Sequence, residues 1–324
     1  MTVISGEVWE DLLTKNELSQ LQQIKKHRSI YLVRDSFGEK VVKPFCWGAG
    51  KAYLIGELLK KSDQCTLIPR LIPAQNGFNY RWKKGNRYLV TEKLPGREAD
   101  YFQIEDLQAA IQSMAFFHRF SQSVIQEKPL KWNLIRFFPR VQWPEYFREM
   151  SICREIAIRT GDDWSCQYLK VWYFYHRQAY AAIREITDLK TISDEVICYH
   201  DWAYHNLIID KGIARLVDFD YMMIDLPVHD KINLIRRYLH INHWSTEALL
   251  KILWNFDRFY GWKSGEIKLL RIFLMFPYDY WILGRQYFIE KQPWSKKYFQ
   301  DQWQRKVIPV PAIERLSAVL EALE

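Results

Sequence analysis

The sequence predicts an α+β fold of two lobes, with a small strand-rich N-terminal lobe and a larger, mostly helical C-terminal lobe. Three observations support this prediction. Short apolar runs separated by turn residues fill residues 30–91. Apolar and aromatic residues then recur at helical spacing through most of the remaining chain. A hairpin pattern at 207–217 interrupts this helical part. We expect the lobes to span residues 1–95 and 96–324.

The elements of the N-terminal lobe follow from apolar periodicity and turn residues. Leu94-Pro95-Gly96 breaks the strand pattern and marks the end of the lobe, because proline and glycine interrupt regular structure. The predicted elements, in chain order, are a helix over 5–24, strands 30–33 and 41–43 around a turn at 35–38, a helix over 51–61, a strand pair near 67–72, and strands 78–82 and 87–91 around a turn at 83–86.

The C-terminal lobe is predicted to be helical on both sides of the hairpin. Residues 104–120 form a strongly periodic helix, and residues 130–190 carry Trp, Tyr and Phe at helical spacing with few glycines. Aromatic stripes of this kind usually pack in a core. We therefore expect most of the tryptophans to be buried and keep Trp202, beside Asp201, as a possible substrate contact.

Composition limits the classes of protein. Hydrophobic residues make up 48% of the 324 residues, which is enough for a large core. No run of about eighteen apolar residues occurs, so we expect no transmembrane helix. The N-terminus lacks the apolar segment of a signal peptide. The five cysteines are widely spaced without a CxxC pair, which argues against a zinc ribbon or disulfide scaffold and favours a reducing cytosol.

The charge balance favours an anionic partner. The formal net charge is +8 at pH 7, which suits a nucleotide, a polyanion or an acidic surface. Nucleic acid is an unlikely partner, because no RNP, zinc-finger or helix-turn-helix signature is present. The basic residues are spread along the chain, so an ordinary solvated basic surface is the simpler interpretation.

The most informative segment is CYHDWAYHNLIIDKGIARLVDFD, residues 198–220. Four residues separate Asp201 from Asn206, and Asp210-Lys211-Gly212 is a hairpin turn whose return strand brings Asp218 back beside Asn206. Phosphoryl transfer needs such a set: one carboxylate orients or deprotonates a hydroxyl, while an amide oxygen and a second carboxylate hold Mg²⁺.

Other interpretations of this segment are weaker. Asp and Asn are frequent in turns because they accept local backbone hydrogen bonds, and an isolated pair at this spacing carries little weight without the hairpin. A zinc hydrolase would use His200, His205 and His229, whose spacing is unremarkable. Cys198 lies in an apolar strand and is more simply a buried thiol than a nucleophile.

Six segments together resemble a known family. They are VVKPF at 41–45, TEKLPGRE at 91–98, AFFHRF at 115–120, YHDWAYHNLIID at 199–210, LVDFDYMMIDLPVHD at 216–230 and FPYDYW at 276–281. The chain resembles the CotS-type spore-coat family within the aminoglycoside/choline kinase-like superfamily over nearly its full length. The resemblance implies a bilobal protein-kinase-like fold, with ATP and Mg²⁺ as cofactors.

The resemblance also implies roles for individual residues. Lys43 matches the strand lysine that contacts nucleotide phosphates, and Glu57 would pair with it. Residues 91–95, which include Glu92, match the hinge that holds the adenine edge. Asp201 matches the catalytic base, and the metal-site residues are Asn206, Asp218 and Asp220.

Two departures from the superfamily pattern stand out. Tyr199 occupies the place of the usual histidine two residues before the catalytic aspartate. The segment expected to cover the nucleotide, KKHRSI at 25–30, contains no glycine. Glycine lets a backbone approach phosphate closely, so here the side chains of Lys25, Lys26, Arg28 or Ser29 would have to hold it.

Two functions follow from these observations. The first is transfer of a phosphoryl group from ATP to an unidentified hydroxyl acceptor near Asp201. The second is a structural or assembly role in the spore coat, by a protein that keeps the fold without turnover. The resemblance implies synthesis in the mother-cell cytoplasm, then a place in the spore coat with other coat proteins as partners.

Overall fold

The computed structural model describes residues 22–27, 30–45, 47–74, 79–83, 86–127, 139–188 and 195–324. Most of the helix predicted over 5–24 lies outside these residues, and its last two, Gln23 and Ile24, are in a strand. The described residues fall into two compact units, one within 1–136 and 195–225, the other within 137–194 and 226–324. The lobe boundary after residue 95 stays a prediction.

The first unit contains an antiparallel sheet of five strands in the order β1-β2-β3-β5-β4. The strands are β1 (Gln23–His27), β2 (Ile30–Asp35), β3 (Gly38–Phe45), β4 (Arg81–Lys83) and β5 (Asn86–Glu92). Val33, Val42 and Val90 are almost completely buried together on one face. Because side chains alternate along a strand, Lys43 points to the opposite face from Val42.

Two smaller sheets and two helices complete this unit. The helices are α1 (Ala49–Lys60) and α2 (Ile104–Glu127), and the strands are β6 (Arg97–Glu98), β7 (Val196–Cys198), β8 (Leu207–Asp210), β9 (Ile213–Leu216) and β10 (Met223–Asp225). The strand orders are β6-β8-β9 and β10-β7. Cys198 is fully buried in β7, as expected of an unreactive thiol.

Helices are the regular secondary structure of the second unit among its described residues. Its helices are α3 (Pro139–Thr160), α4 (Asp163–Asp188), α5 (Pro227–Ile241), α6 (Thr246–Phe259), α7 (Glu266–Met275), α8 (Tyr278–Gly284), α9 (Lys296–Lys306) and α10 (Val310–Leu323). A short π-helix, Arg285–Ile289, follows α8. Trp164, Tyr168, Tyr280 and Phe299 are buried, and the rings of Tyr168 and Tyr280 stack with centroids 4.3 Å apart. An aromatic core is therefore present. Of the tryptophans whose burial the structure describes, Trp143, Trp164, Trp202, Trp244 and Trp281 are buried, whereas Trp254 and Trp294 are exposed.

The α+β fold class is confirmed. The sequence analysis did not predict strands β1, β6 and β10, and one local prediction is wrong. Residues 67–72 do not form a strand pair: Leu71 makes a single bridge to Thr91. The physical reason is that Pro69 and Pro73 have no N–H group for a continuous ladder. No helix among the described residues is long and apolar enough to cross a membrane.

Gly96 allows the chain to pass close to the hairpin formed by β8 and β9. It precedes β6, whose residues Arg97 and Glu98 pair with Ile209 and Ile208 of β8. The φ angle of Gly96 is +122°, and a Cβ atom there would lie 2.3 Å from the carbonyl oxygen of Ile209. Only glycine fits this approach without displacing backbone.

We predict that Gly96→Ala destabilises the protein by about 2–5 kcal/mol, because left-handed backbone costs about 1–2 kcal/mol and overpacking about 1–3 kcal/mol. Gly212→Ala is the matched control: its φ is +78°, and nothing lies within 4 Å of an added Cβ atom. It should lose only the backbone contribution of about 1–2 kcal/mol. Urea unfolding measures both changes, and equal losses would show that the approach at Gly96 is not tight.

Candidate active site

The predicted hairpin is present and holds the two ends of the motif together. Leu207 pairs with Leu216, and the ladder continues to Asp210 and Ile213 across the turn. Lys211 and Gly212 have φ angles of 51° and 78°, as the tight two-residue hairpin turn requires. Beyond the ladder, the N–H of Val217 donates to the carbonyl oxygen of Asn206 at 3.0 Å. The chain therefore delivers Asp218 to the same end of the hairpin as Asn206.

Asn206 orients the predicted catalytic base. Its Nδ2 donates to Oδ2 of Asp201 at 2.7 Å and lies 3.3 Å from the Asp201 carbonyl oxygen. Asn206 is buried and ends the short 3₁₀ helix Tyr204–Asn206. Among the described residues, no hydrogen-bond donor contacts Asn206 Oδ1, so the amide oxygen is the atom left to accept from, or bind, another group.

Tyr199 holds the segments that carry Asn206 and Asp218 through its buried hydroxyl. Its side chain is completely buried, and its hydroxyl donates to the carbonyl oxygen of Val217 at 2.6 Å, with the carbonyl oxygen of Asn206 3.3 Å away. The ring of Phe219 packs edge-on against Tyr199, with centroids 5.9 Å apart. A tyrosine here therefore ties together the segments that carry Asn206 and Asp218.

The central ion pair joins Lys43 to both acids of the Asp-Phe-Asp segment. Lys43 Nζ lies 2.5 Å from Oδ1 of Asp218 and 2.5 Å from Oδ1 of Asp220. The lysine side chain is 14% exposed, whereas the two carboxylates are 39% and 37% exposed, so solvent or a ligand reaches the acids rather than the amine. The amine therefore binds Asp218 and Asp220 and not Glu57, the partner that the family resemblance implies.

Burial and the charge of Lys43 act in opposite directions on the pKa of Asp220. Burial raises the pKa of Asp220, and the neighbouring charge of Asp218 adds to this, while the ammonium of Lys43 opposes it. Two carboxylates that share one ammonium are a natural cation site, since a second positive charge relieves their repulsion.

Lys51 is a site residue that the sequence analysis missed. It lies in the first turn of α1, and its Nζ donates to the main-chain oxygen of Asp220. Burial lowers the pKa of Lys51, and the charge of Lys43 acts in the same direction, while Asp220 raises it. The sequence offers one signal for this residue: it is a lysine at the start of the helix that follows β3.

Two residues of the site have strained backbone. His200 has φ 63° and Asp218 has φ 74°, a region that is costly for residues other than glycine. His200 Nε2 lies 3.2 Å from Oδ2 of Asp225. Left-handed backbone on either side of the hairpin sets the direction of the Asp201 and Asp218 side chains.

The remaining predicted residues lie elsewhere in the unit. Glu57 accepts from Lys60 on its own helix at 3.1 Å, and Glu92 is bound by the guanidinium of Arg70. Lys25 and Lys26 are exposed on β1, whereas Arg28 and Ser29 lie outside the described residues. The expectation that Trp202 contacts substrate is wrong: its side chain is completely buried and packs on Tyr199, with ring centroids 5.5 Å apart.

The donor set fits a divalent cation. Asp218 and Asp220 offer carboxylate oxygens to solvent, and Asn206 offers an amide oxygen without a described donor. Hard oxygen ligands of this kind suit Mg²⁺ or Ca²⁺ rather than zinc, which prefers sulfur and nitrogen. The arrangement of a lysine, two acids and an asparagine-held third acid is typical of phosphoryl transfer.

Comparison with known proteins agrees with this chemistry. Residues 57–268 match the model of the phosphotransferase enzyme family, which is more than half of the chain, so the chain belongs to this family. It is 22% identical over 288 residues to spore coat protein S of Bacillus subtilis (strain 168), covering 85% of this chain and 82% of that protein.

Solved structures confirm the kinase-like fold. An aminoglycoside phosphotransferase from Alicyclobacillus acidocaldarius superposes with a TM-score of 0.77 at 18% identity, covering 96% of each chain. A spectinomycin phosphotransferase in complex with ADP and spectinomycin gives a TM-score of 0.64 at 12% identity, covering 93% of this chain and 92% of the other. The predicted resemblance to the aminoglycoside kinase-like superfamily and to spore-coat proteins is thereby confirmed.

We predict that Lys43→Met lowers stability at about pH 8 by about 1 kcal/mol, because two partly exposed carboxylates lose their shared cation. The pKa of Asp220 is already raised, and it rises further without Lys43. The folded variant then binds more protons than the unfolded chain, so its stability increases as pH falls toward that pKa. The deficit relative to the natural protein should therefore shrink by about pH 5.

Urea unfolding at the two pH values measures this change. Lys211→Met is the control, because Lys211 is exposed in the hairpin turn and should lose nothing at either pH. A loss of stability in Lys43→Met that stays constant with pH would mean that the pKa of Asp220 does not depend on the charge of Lys43.

Proposed function

We propose that the protein is an ATP- and Mg²⁺-dependent phosphotransferase that acts on a hydroxyl-bearing acceptor. The observation that supports it best is the grouping of Lys43 with Asp218 and Asp220 beside the Asp201–Asn206 hydrogen bond. Phosphoryl transfer relies on positioning and on charge stabilisation, and these groups offer both. Membership of the phosphotransferase family agrees with the proposal.

Each residue has a distinct task in this proposal. Asp201 accepts the proton of the acceptor hydroxyl. Asn206 holds this carboxylate in place, because its Nδ2 donates to Oδ2 of Asp201. Asn206, Asp218 and Asp220 would hold Mg²⁺, which when bound neutralises charge on the phosphates. Lys43 keeps the two acids together and contributes positive charge beside them.

The nucleotide would be held by residues on the five-stranded sheet and on α1. We propose that the backbone of residues 91–95 binds the adenine edge and that Glu92 belongs to this segment. Glu57, which is buried on α1 and here accepts from Lys60, would bind the Lys43 amine when nucleotide occupies the site. The similar spectinomycin phosphotransferase was solved with ADP, which supports a nucleotide as the phosphoryl donor.

The setting that we propose is the spore coat. The similarity to spore coat protein S supports synthesis in the mother-cell cytoplasm, followed by association with other coat proteins. A second candidate is a structural coat protein without turnover. The observation in its favour is the absence of glycine from residues 25–30, where a phosphate-covering backbone loop is expected.

We predict that Asp201→Asn lowers turnover by about 10²–10⁴-fold, which is the usual effect of losing a general base. Folding and ATP affinity should be nearly unchanged, because an amide oxygen can still accept from Asn206. The measurement is ATP consumption over a panel of amino alcohols, sugars and coat extracts. Asp63→Asn is the control, since Asp63 is exposed in a turn of the same unit and should keep full activity.

We also predict that Asp218→Asn weakens Mg²⁺-dependent ATP binding, because it replaces a charged metal ligand by a neutral one. In a thermal-shift titration, the natural protein should gain about 3 kcal/mol of stability at ATP about 100-fold above its Kd. The variant should gain much less with Mg²⁺ at the same ATP concentration, and its response without Mg²⁺ should match that of the natural protein.

These two experiments separate the two candidate functions. If the natural protein shows Mg²⁺-dependent ATP stabilisation but no acceptor is phosphorylated, and both variants assemble normally into the coat, the structural role is favoured. If it shows neither binding nor turnover, the phosphotransferase proposal fails.

A further inference from the structure

The side chain of Lys51 is half-buried beside Asp220. The group that accepts a hydrogen bond from its ammonium is neutral. Among the residues the structure describes, its hydrogen-bond partner is the main-chain oxygen of Asp220. An ammonium has three donors, so this single bond leaves capacity for a ligand. A partly buried charge without a direct counterion costs free energy that an anion would offset.

Lys43 has less spare capacity, because two of its three donors already bind carboxylates. It binds two carboxylates at 2.5 Å each and is 14% exposed, so its charge is compensated within the protein. The same Asp220 that accepts from Lys51 through its main chain gives its carboxylate to Lys43. Of the two ammonium groups at this place, Lys51 is therefore the one placed to meet an added anion.

The anion that suits this position is a polyphosphate. Lysine binds phosphate as a compact point charge, and Lys51 adjoins the acids that would hold the metal of a metal–phosphate complex. The alternative lysines are less well placed: Lys25 and Lys26 are exposed on β1, with the amine of Lys26 lying 6.0 Å from the ring centroid of Tyr31. Residues 22–37 contain no glycine that would let backbone N–H groups take this task.

We propose that Lys51 binds the terminal phosphates of the nucleotide and supplies by a side chain the contact that a glycine-rich backbone loop would otherwise make. This inference rests on the nucleotide-dependent activity proposed above. Helix α1 would then carry a residue that contacts phosphate directly, Lys51, as well as Glu57.

Calorimetric titration of the full-length protein with ATP and with AMP, both with Mg²⁺ in excess, tests the proposal. Lys51→Met should raise the Kd for ATP by about 10–100-fold, the usual worth of a hydrogen bond to a charged group. The Kd for AMP, which lacks the terminal phosphates, should change less than about two-fold. Lys51→Arg keeps the charge and should recover most of the ATP affinity, whereas Lys211→Met, in the exposed hairpin turn, should match the natural protein.

The outcomes separate this inference from the proposed function. If the natural protein binds neither nucleotide, the proposed function fails and this inference fails with it. If it binds ATP and Lys51→Met binds ATP equally well, only the role of Lys51 is wrong. Equal losses of ATP and AMP affinity, without recovery by Lys51→Arg, would mean that Lys51 supports the structure and does not contact the terminal phosphates.

Discussion

The ion pair of Lys43 with Asp218 and Asp220 is the interaction on which the site depends. It links the middle of the five-stranded sheet to the segment that follows β9, so two sheets distant in sequence are held by one ammonium. Each member needs the others: without the amine, two neighbouring carboxylates repel, and without the carboxylates, a nearly buried amine is uncompensated. Charge balance, more than apolar packing, therefore specifies this part of the fold.

The backbone around this ion pair is held by polar groups with little freedom. The Tyr199 hydroxyl and the Asn206 backbone both bind Val217, immediately before the left-handed Asp218. Such strain and burial cost stability, and replacing a buried charged cluster by apolar residues is often neutral or stabilising. Apolar packing could hold the same segments together without burying charge, so the presence of a charged cluster here is a physical argument for a ligand at this site.

The missing glycines and the position of Lys51 concern the same physical problem. A polyphosphate needs several donors close to its oxygens, which either exposed backbone N–H groups or ammonium side chains can provide. Backbone donors require glycine for close approach, and the β1–β2 segment has none. A side-chain ammonium can bind phosphate whatever the backbone conformation of the covering segment. With Lys51 beside Asp220, phosphate binding does not require glycine in that segment.

The sequence by itself determined the local features: the hairpin between Asn206 and Asp218, the strand of Lys43, the long helices and the α+β class. Turn residues and apolar periodicity act over a few residues, so a single chain segment suffices to read them. The tertiary structure alone decided which distant groups meet. It brought β6 onto β8, buried Trp202, and placed Lys51 beside Asp220, because such contacts depend on packing and charge balance between elements far apart in the chain.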